Sequence, residues 1–252
     1  MLVRLFTSSY TDSSENRNIE MRHCLERNIA CRALDSVCVL AEPSAVELPS
    51  SPKLIRRSIA TRPQYDSFFR WIADSAAPDD VSIIANPDIY FDESIGVLHM
   101  CPPPAGTVYA LSRWDITAEG EAVLYDHNDS QDVWVVRGRA DRVTADFPMG
   151  VPRCDNRIAM EFELAGYRVL NPSFSIRSFH LHAGKRSAYD AANLPHFVDP
   201  PYKYVWPHNL RGLAATVLHN TLYPSHQLRW RFDARVWKHR LKLHWLDSLK
   251  AL

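Results

Sequence analysis

The turn after the first apolar run holds no glycine; Thr7-Ser8-Ser9-Tyr10 stands there instead. That counts against a glycine-rich loop cradling phosphate at this point of the chain. The five cysteines, Cys24, Cys31, Cys38, Cys101 and Cys154, form no CxxC pair and are odd in number. Their spacing argues against a zinc site and for reduced thiols, which places the protein in the cytoplasm. Charge is balanced, with 29 Lys and Arg against 29 Asp and Glu, so the chain does not read as a general nucleic-acid binder. Eleven histidines make it somewhat cationic only at mildly acid pH. No apolar run approaches the roughly 18 residues that cross a bilayer, and Met1 to Tyr10 lacks the apolar core and cleavage site of a signal peptide. Internal repeats and low-complexity tracts are also missing. What remains is an ordinary globular composition, 46% hydrophobic and 23% charged over 252 residues, enough for one large α/β domain with a small appendage.

The most informative stretch is Val81-Ser82-Ile83-Ile84-Ala85-Asn86-Pro87-Asp88-Ile89-Tyr90-Phe91-Asp92. Its apolar, mostly β-branched start predicts a strand buried on both faces, as in the middle of a mostly parallel sheet. Proline then stops the ladder and leaves carboxylates at the strand's C-terminal edge. Open α/β sheets bind ligands at that edge, and acids there point to a divalent cation and the phosphates it neutralises.

Around this strand the pattern alternates. Leu2–Phe6 reads as a first strand, Asn18–Ala33 as a helix with Ile19, Cys24, Leu25 and Ile29 facing inward, and Val37–Leu40 as a second strand. Ile55–Ala60 reads as an edge strand and Tyr65–Ala73 as a helix, so the first ~92 residues imply a parallel, Rossmann-like sheet. Further strands are expected at Val108–Leu111 and Val133–Val136, and a helix from Pro152–Asp155 through Ala165, ended by Gly166. Tyr167–Leu170 and Ser175–His182 are two short extended pieces. After Ala183 the chain turns rich in Pro, Tyr and His, and Leu228–Leu252 interleaves Arg and Lys with Trp and Leu. This tail fits either an amphipathic helix on an anionic membrane or a terminal helix packed on its own domain or a second subunit.

Three polar clusters carry candidate chemistry. Asn86–Asp92 is the first, with Asp88 either a ligand or a turn residue. Cys154-Asp155-Asn156-Arg157 is the second, where Gly150-Val151-Pro152 leads into a helix and Asp155 is equally suited to cap it. The third is Phe179-His180-Leu181-His182, whose alternation points both imidazoles to one face of a strand.

In this order the clusters resemble the GT-A fold of nucleotide-sugar-dependent glycosyltransferases, over residues 1 to 182. Asn86-Pro87-Asp88 looks like that fold's metal-binding acidic motif, although Asn stands where a first Asp is usual. The run GVPRCDNRIAMEFELAG resembles the acceptor-helix motif of inverting members, with Cys154 in place of the usual Glu. The segment ending in Phe179-His180 resembles the strand that returns a metal-ligating histidine. More narrowly, IANPDIYFD, ALSRWD, SQDVWVVRG, CDNRIAMEFELAGY and NPSFSIRSFHLH together look like a set of bacterial glycosyltransferase-like proteins. The resemblance implies a GT-A-like α/β domain over residues 1–182, with 183–252 as a C-terminal extension ending in a basic helix.

It also implies a mechanism. Mn²⁺ or Mg²⁺, held by Asp88 and by His180 in preference to His182, would neutralise the departing nucleoside diphosphate, with Asp92 a possible substitute for the missing acid. Asp155, ionised at neutral pH without a large shift, would take the proton of an acceptor hydroxyl in a single inverting displacement. Thr7, Ser8 and Asn86 are assigned to nucleotide, Arg62 to phosphate, and Asp132, Arg113, Asp92, Arg157 and His182 to the donor sugar or acceptor. A basic tail would suit a growing surface glycan or lipid-linked saccharide at the inner membrane face. Two other functions compete: a sugar-nucleotide nucleotidyltransferase, opposed by the missing glycine loop, and a non-catalytic sugar-nucleotide-binding or scaffold module.

Overall fold

A computed structural model describes residues 1–45, 47–181, 197–222, 233–238 and 241–242. The first half runs β1 (Val3–Ser9), α1 (Glu15–Ala30), β2 (Ser36–Ala41), β3 (Leu54–Ser58), α2 (Tyr65–Ser75), β4 (Val81–Ala85), β5 (Ile89–Phe91) and α3 (Val97–Met100). The second runs β6 (Thr107–Leu111), β7 (Trp114–Ile116), β8 (Ala122–Leu124), β9 (Val133–Arg137), α4 (Cys154–Leu164), β10 (Arg168–Leu170), β11 (Ser178–Leu181) and α5 (Leu213–Leu222).

Seven strands form the main sheet in the order β10-β6-β9-β4-β1-β2-β3. All run parallel except β9, which pairs antiparallel with both β4 and β6. The result is a Rossmann-like, mostly parallel sheet flanked by helices, as the motifs imply. As the sequence predicts, β4 is buried along its whole length, and its alternate residues feed two cores. Ile84 joins Phe6, Tyr65, Phe68, Trp134 and Phe162 under α2 and α4, while Val81 and Ile83 join Val3, Leu5, Val39 and Val135 on the other face. Helix α2 buries Tyr65, Phe68, Phe69, Trp71 and Ile72, and each such side chain gains roughly 1.5–3 kcal/mol on leaving water. A second sheet, β5-β11-β7-β8, closes one side of the crevice over Cys24, Tyr90, Trp114 and Phe179.

Helix α1 departs from expectation. Its buried positions are Glu20, Met21, Cys24 and Asn28, whereas Ile19 is 58% exposed. The reason is what the helix packs against. Asn28 bonds the edge of β5, its Nδ2 donating to Ile89 O and its Oδ1 accepting from Phe91 N, while Glu20 reaches toward the polar crevice. Helix α4 follows its prediction closely, and Gly166 at φ 84° ends it, with Gly166 N and Tyr167 N donating to the carbonyls of Glu163 and Phe162.

Beyond residue 196 the chain returns to the main domain. Arg157 Nη1 donates to the carbonyls of Asp199 and Pro200, Val205 lies in the core, and His208 N bonds Asn171 O. The five cysteines are free thiols, all buried except Cys101. Most of the basic tail lies outside the described residues; within it, Val236 is buried. No helix among the described residues is long and apolar enough to cross a membrane.

Candidate active site

The parallel strands β1, β2 and β4 all end at one edge of the sheet, and antiparallel β9 begins there. Their terminal residues Ser8, Glu42 and Asn86–Asp88, with Ser130–Asp132 before β9, line a cavity of about 370 Å³. The loop 149–153 and the first turn of α4 close it from one side, and His180 at the end of β11 from another. This is the position that open α/β sheets give their ligands.

Its floor is a chain of alternating charges. Arg17, in the first turns of α1, places Nη1 2.7 Å from Asp88 Oδ2 and 2.8 Å from Glu20 Oε2. The same Asp88 oxygen lies 3.1 Å from His180 Nε2, and His180 Nδ1 lies 3.2 Å from Asp115 Oδ1. Arg113 then joins Asp115, through Nε at 2.8 Å, to Asp132, through Nη1 at 3.0 Å. Asp132 Oδ1 in turn accepts from Asn86 Nδ2 at 2.8 Å. Such buried charges persist only because each has an opposite partner. Burial disfavours the charged ring of His180, but the bonds to Asp115 and Asp88 outweigh it and raise its pKa to about 9. Burial likewise opposes ionisation of Asp115, yet His180 and Arg113 hold it well below the usual carboxylate range.

Asp155 sits in the first turn of α4. Arg153, just before it, has φ 69°, a left-handed conformation that costs a non-glycine residue about 1–3 kcal/mol and persists where the surroundings impose it. That turn aims Asp155 at the cavity while its Oδ1 accepts from Asn156 N at 2.9 Å and its Oδ2 from Gln131 N at 3.3 Å. The carboxylate therefore serves the helix terminus and still faces the crevice. Burial, then the nearby Asp132 carboxylate, raise its pKa to about 7, against the expectation of no large shift. The neighbouring Cys154 is no alternative nucleophile, because burial pushes its thiol up to about 12.

The side chains about Asp88 do not fit the divalent ion that the motif implies. Asp88 Oδ2 already meets a guanidinium and an imidazole. Both ring nitrogens of His180 already face carboxylates, Nδ1 toward Asp115 and Nε2 toward Asp88. Among the described residues, no group of three or more His, Cys, Asp or Glu is arranged to hold a metal.

Of the residues predicted from sequence, Ser8, Arg62, Asn86, Asp88, Asp132, Asp155 and His180 line the cavity together. Arg62 lines it with Nε and Nη2 both donating to Met149 O, a held position rather than a free phosphate arm. Thr7 is buried and does not line it, because adjacent strand residues point to opposite faces. Arg113 lies behind the site as the buried counter-ion of Asp115 and Asp132. Asp92 is drawn away: it caps the turn at Glu93–Gly96 through Ser94 N and pairs with Arg177. Arg157 points out of the crevice toward Glu161 and the returning chain at Asp199 and Pro200. His182 lies outside the described residues. The residues not foreseen are Arg17 and Glu20 at the floor and Tyr10, Asp12, Glu42, Gln131 and Arg153 around the rim. An i, i+3 Arg–Glu pair on a helix reads as a solvated salt bridge, which hid Arg17 and Glu20.

No family model and no curated protein matches this chain. Solved structures do. TarS 1–349 of S. aureus in complex with UDP-GlcNAc is similar at 10% identity and a TM-score of 0.49, over 75% of this chain and 62% of that one. The chain thus spans about three fifths of that 1–349 chain, 62%. The 2-C-methyl-D-erythritol 4-phosphate cytidylyltransferase of Francisella tularensis is similar at 11% identity and a TM-score of 0.42, over 68% of this chain and 90% of that one. The 4-diphosphocytidyl-2C-methyl-D-erythritol synthase of Anaerococcus prevotii gives 7% and 0.40, over 68% and 86%.

Proposed function

We propose that the protein is an inverting glycosyltransferase, moving a sugar from a nucleoside-diphosphate sugar to a hydroxyl of a saccharide or glycolipid. One observation carries this reading: a carboxylate with a pKa of about 7 faces the same 370 Å³ crevice as a fixed guanidinium, at the C-terminal edge of parallel strands. A base poised near neutrality and a cation for phosphate are the two parts that sugar transfer from a diphosphate donor requires.

The acceptor hydroxyl lies against Asp155. Its oxygen attacks the anomeric carbon as Asp155 takes its proton, and the bond from that carbon to the diphosphate oxygen breaks on the opposite face. The proton ends on Asp155 and the electron pair on the departing diphosphate. A single displacement inverts the anomeric centre. Asn86 Oδ1, buried and without a hydrogen-bond donor among the described residues, is suited to accept from a donor hydroxyl. Asp12, Glu42 and Asp132 add acceptors for the remaining hydroxyls.

The test is a thermal-shift screen of the full chain against UDP, GDP, ADP, CDP and TDP and their sugars, followed by diphosphate release with simple saccharide acceptors. One nucleotide family is expected to stabilise the fold. Asp155→Asn is expected to keep that stabilisation and lose release by about 10²–10⁴-fold. An Asp155→Asn protein that turns over like the wild type would end the base assignment.

A further inference from the structure

Arg17 is built into the crevice in a way that the motifs do not explain. Its side chain is about a quarter exposed, at 24%, and its contacts with Asp88 Oδ2 and Glu20 Oε2 both go through the single nitrogen Nη1. Nε and Nη2 bond nothing among the described residues. Two buried carboxylates therefore hold the guanidinium through Nη1 at the wall of the cavity that Arg17 lines, with its Nε and Nη2 not drawn on by either acid. A guanidinium held this way matches the bidentate geometry of phosphate oxygens and needs no reorganisation when charge develops there.

The same carboxylate is the one the sequence assigns to a metal, and its Oδ2 is already taken by Arg17 and His180. Asp88 Oδ2 is shared between Arg17 and His180, and Glu20, the other acid within reach, is spent on Arg17 through Oε2. The missing first aspartate of the Asn86-Pro87-Asp88 motif is consistent with this, since Asn86 spends its amide on Asp132 and not on Asp88 or Glu20.

We propose that Arg17, fixed by Asp88 and Glu20, receives the diphosphate of the donor in place of a divalent cation, so that binding and transfer proceed without metal. This rests on the nucleotide-sugar reading above and assigns the cation within it. In the reaction, Arg17 donates two N–H bonds to the departing diphosphate and keeps its own proton throughout. Asp88 and Glu20 act by positioning Arg17 and touch no reacting atom.

The experiment measures nucleoside-diphosphate binding by the full chain in excess EDTA and again with Mn²⁺, for the wild type, Arg17→Ala and Arg17→Lys. The probe is whichever of UDP, GDP, ADP, CDP and TDP stabilises the wild type most, with its monophosphate as control. Wild-type affinity is expected to differ by less than about twofold between the two conditions. In EDTA, Arg17→Ala should weaken diphosphate binding about tenfold or more, while monophosphate binding stays within about twofold. Arg17→Lys keeps the charge but loses the fork, and should fall between the two. Mn²⁺ should strengthen binding to Arg17→Ala selectively, because Asp88 and Glu20 are then freed. Circular dichroism checks that the variants are folded; if Arg17→Ala is not, the EDTA comparison on the wild type and the Arg17→Lys result decide. Wild-type binding that appears only with Mn²⁺ overturns the proposal and leaves the nucleotide-sugar reading standing. Equal affinity of the wild type and Arg17→Ala in EDTA overturns it as well. No diphosphate bound under either condition overturns both.

Discussion

A carboxylic acid that titrates near neutrality stands in opposite relations to catalysis and to stability, and Asp155 is such a group. As a base it works only when ionised, so kcat/KM should climb about tenfold per pH unit below about 7 and level off above it. For folding the sign reverses. The unfolded carboxyl ionises near its ordinary 3.8, whereas the folded one holds its proton to about 7. The folded state thus binds the extra proton between these values, and its relative stability is complete below about pH 4 and lost as pH rises through 7. Asp155→Asn should accordingly melt above the wild type at pH 8 and level with it at pH 3.5, as scanning calorimetry will show. A lower melting point for Asp155→Asn at pH 8 would mean that capping of α4 outweighs the burial of charge. Because the like charge of Asp132 is the second cause of the shift, Asp132→Asn should move the acid limb of the rate profile to lower pH.

Elements place these residues, and two joints do most of it. Asn28 ties α1 to β5 through two buried bonds, which sets Arg17 on α1 against Asp88 just before β5. Asn28→Leu leaves Ile89 O and Phe91 N without partners and should cost about 2–6 kcal/mol in urea unfolding, at roughly 1–3 kcal/mol for each orphaned group. Gly150, at φ 75°, lets the loop into α4 pass close to Arg62, whose Nη2 would lie 2.9 Å from an added Cβ. Gly150→Ala should cost about 1–2 kcal/mol from the left-handed backbone and raise KM for the donor, since Arg62 must leave Met149 O. Much of this level was legible in advance. The two-faced apolar run predicts β4, the Tyr65–Ile72 pattern predicts α2, and Gly166 predicts the end of α4, because each depends on local pattern alone. The antiparallel course of β9 and the small sheet β5-β11-β7-β8 were not legible, since they are set by pairings between residues as distant as Phe91 and Ser178. The face of α1 was legible in part: Cys24 is buried and Leu25 and Ile29 pack against the core, but hydrophobic periodicity also pointed to exposed Ile19 and missed Glu20 and Asn28, which the polar crevice and β5 bury.

Across the whole molecule, one charge chain from Arg17 through Asp88, His180, Asp115, Arg113 and Asp132 to Asn86 links both sheets beneath the crevice. Its members come from segments far apart in sequence, which explains why the motifs named the acids but not their partners. Asp88 is legible as a site acid, but a strand-end acid carries no sign of the helix that brings Arg17 against it. Asp92 and Arg157 were read into the site on sequence proximity, and tertiary pairing draws both elsewhere. Proton NMR of the transfer product tests whether Asp155 drives a single displacement at the anomeric carbon. With the nucleotide sugar that binds and a saccharide acceptor, the new glycosidic bond should carry the anomeric configuration opposite to that of the donor, and Asp155→Asn should form none. A product that keeps the donor's configuration, or one formed equally fast by Asp155→Asn, would contradict it.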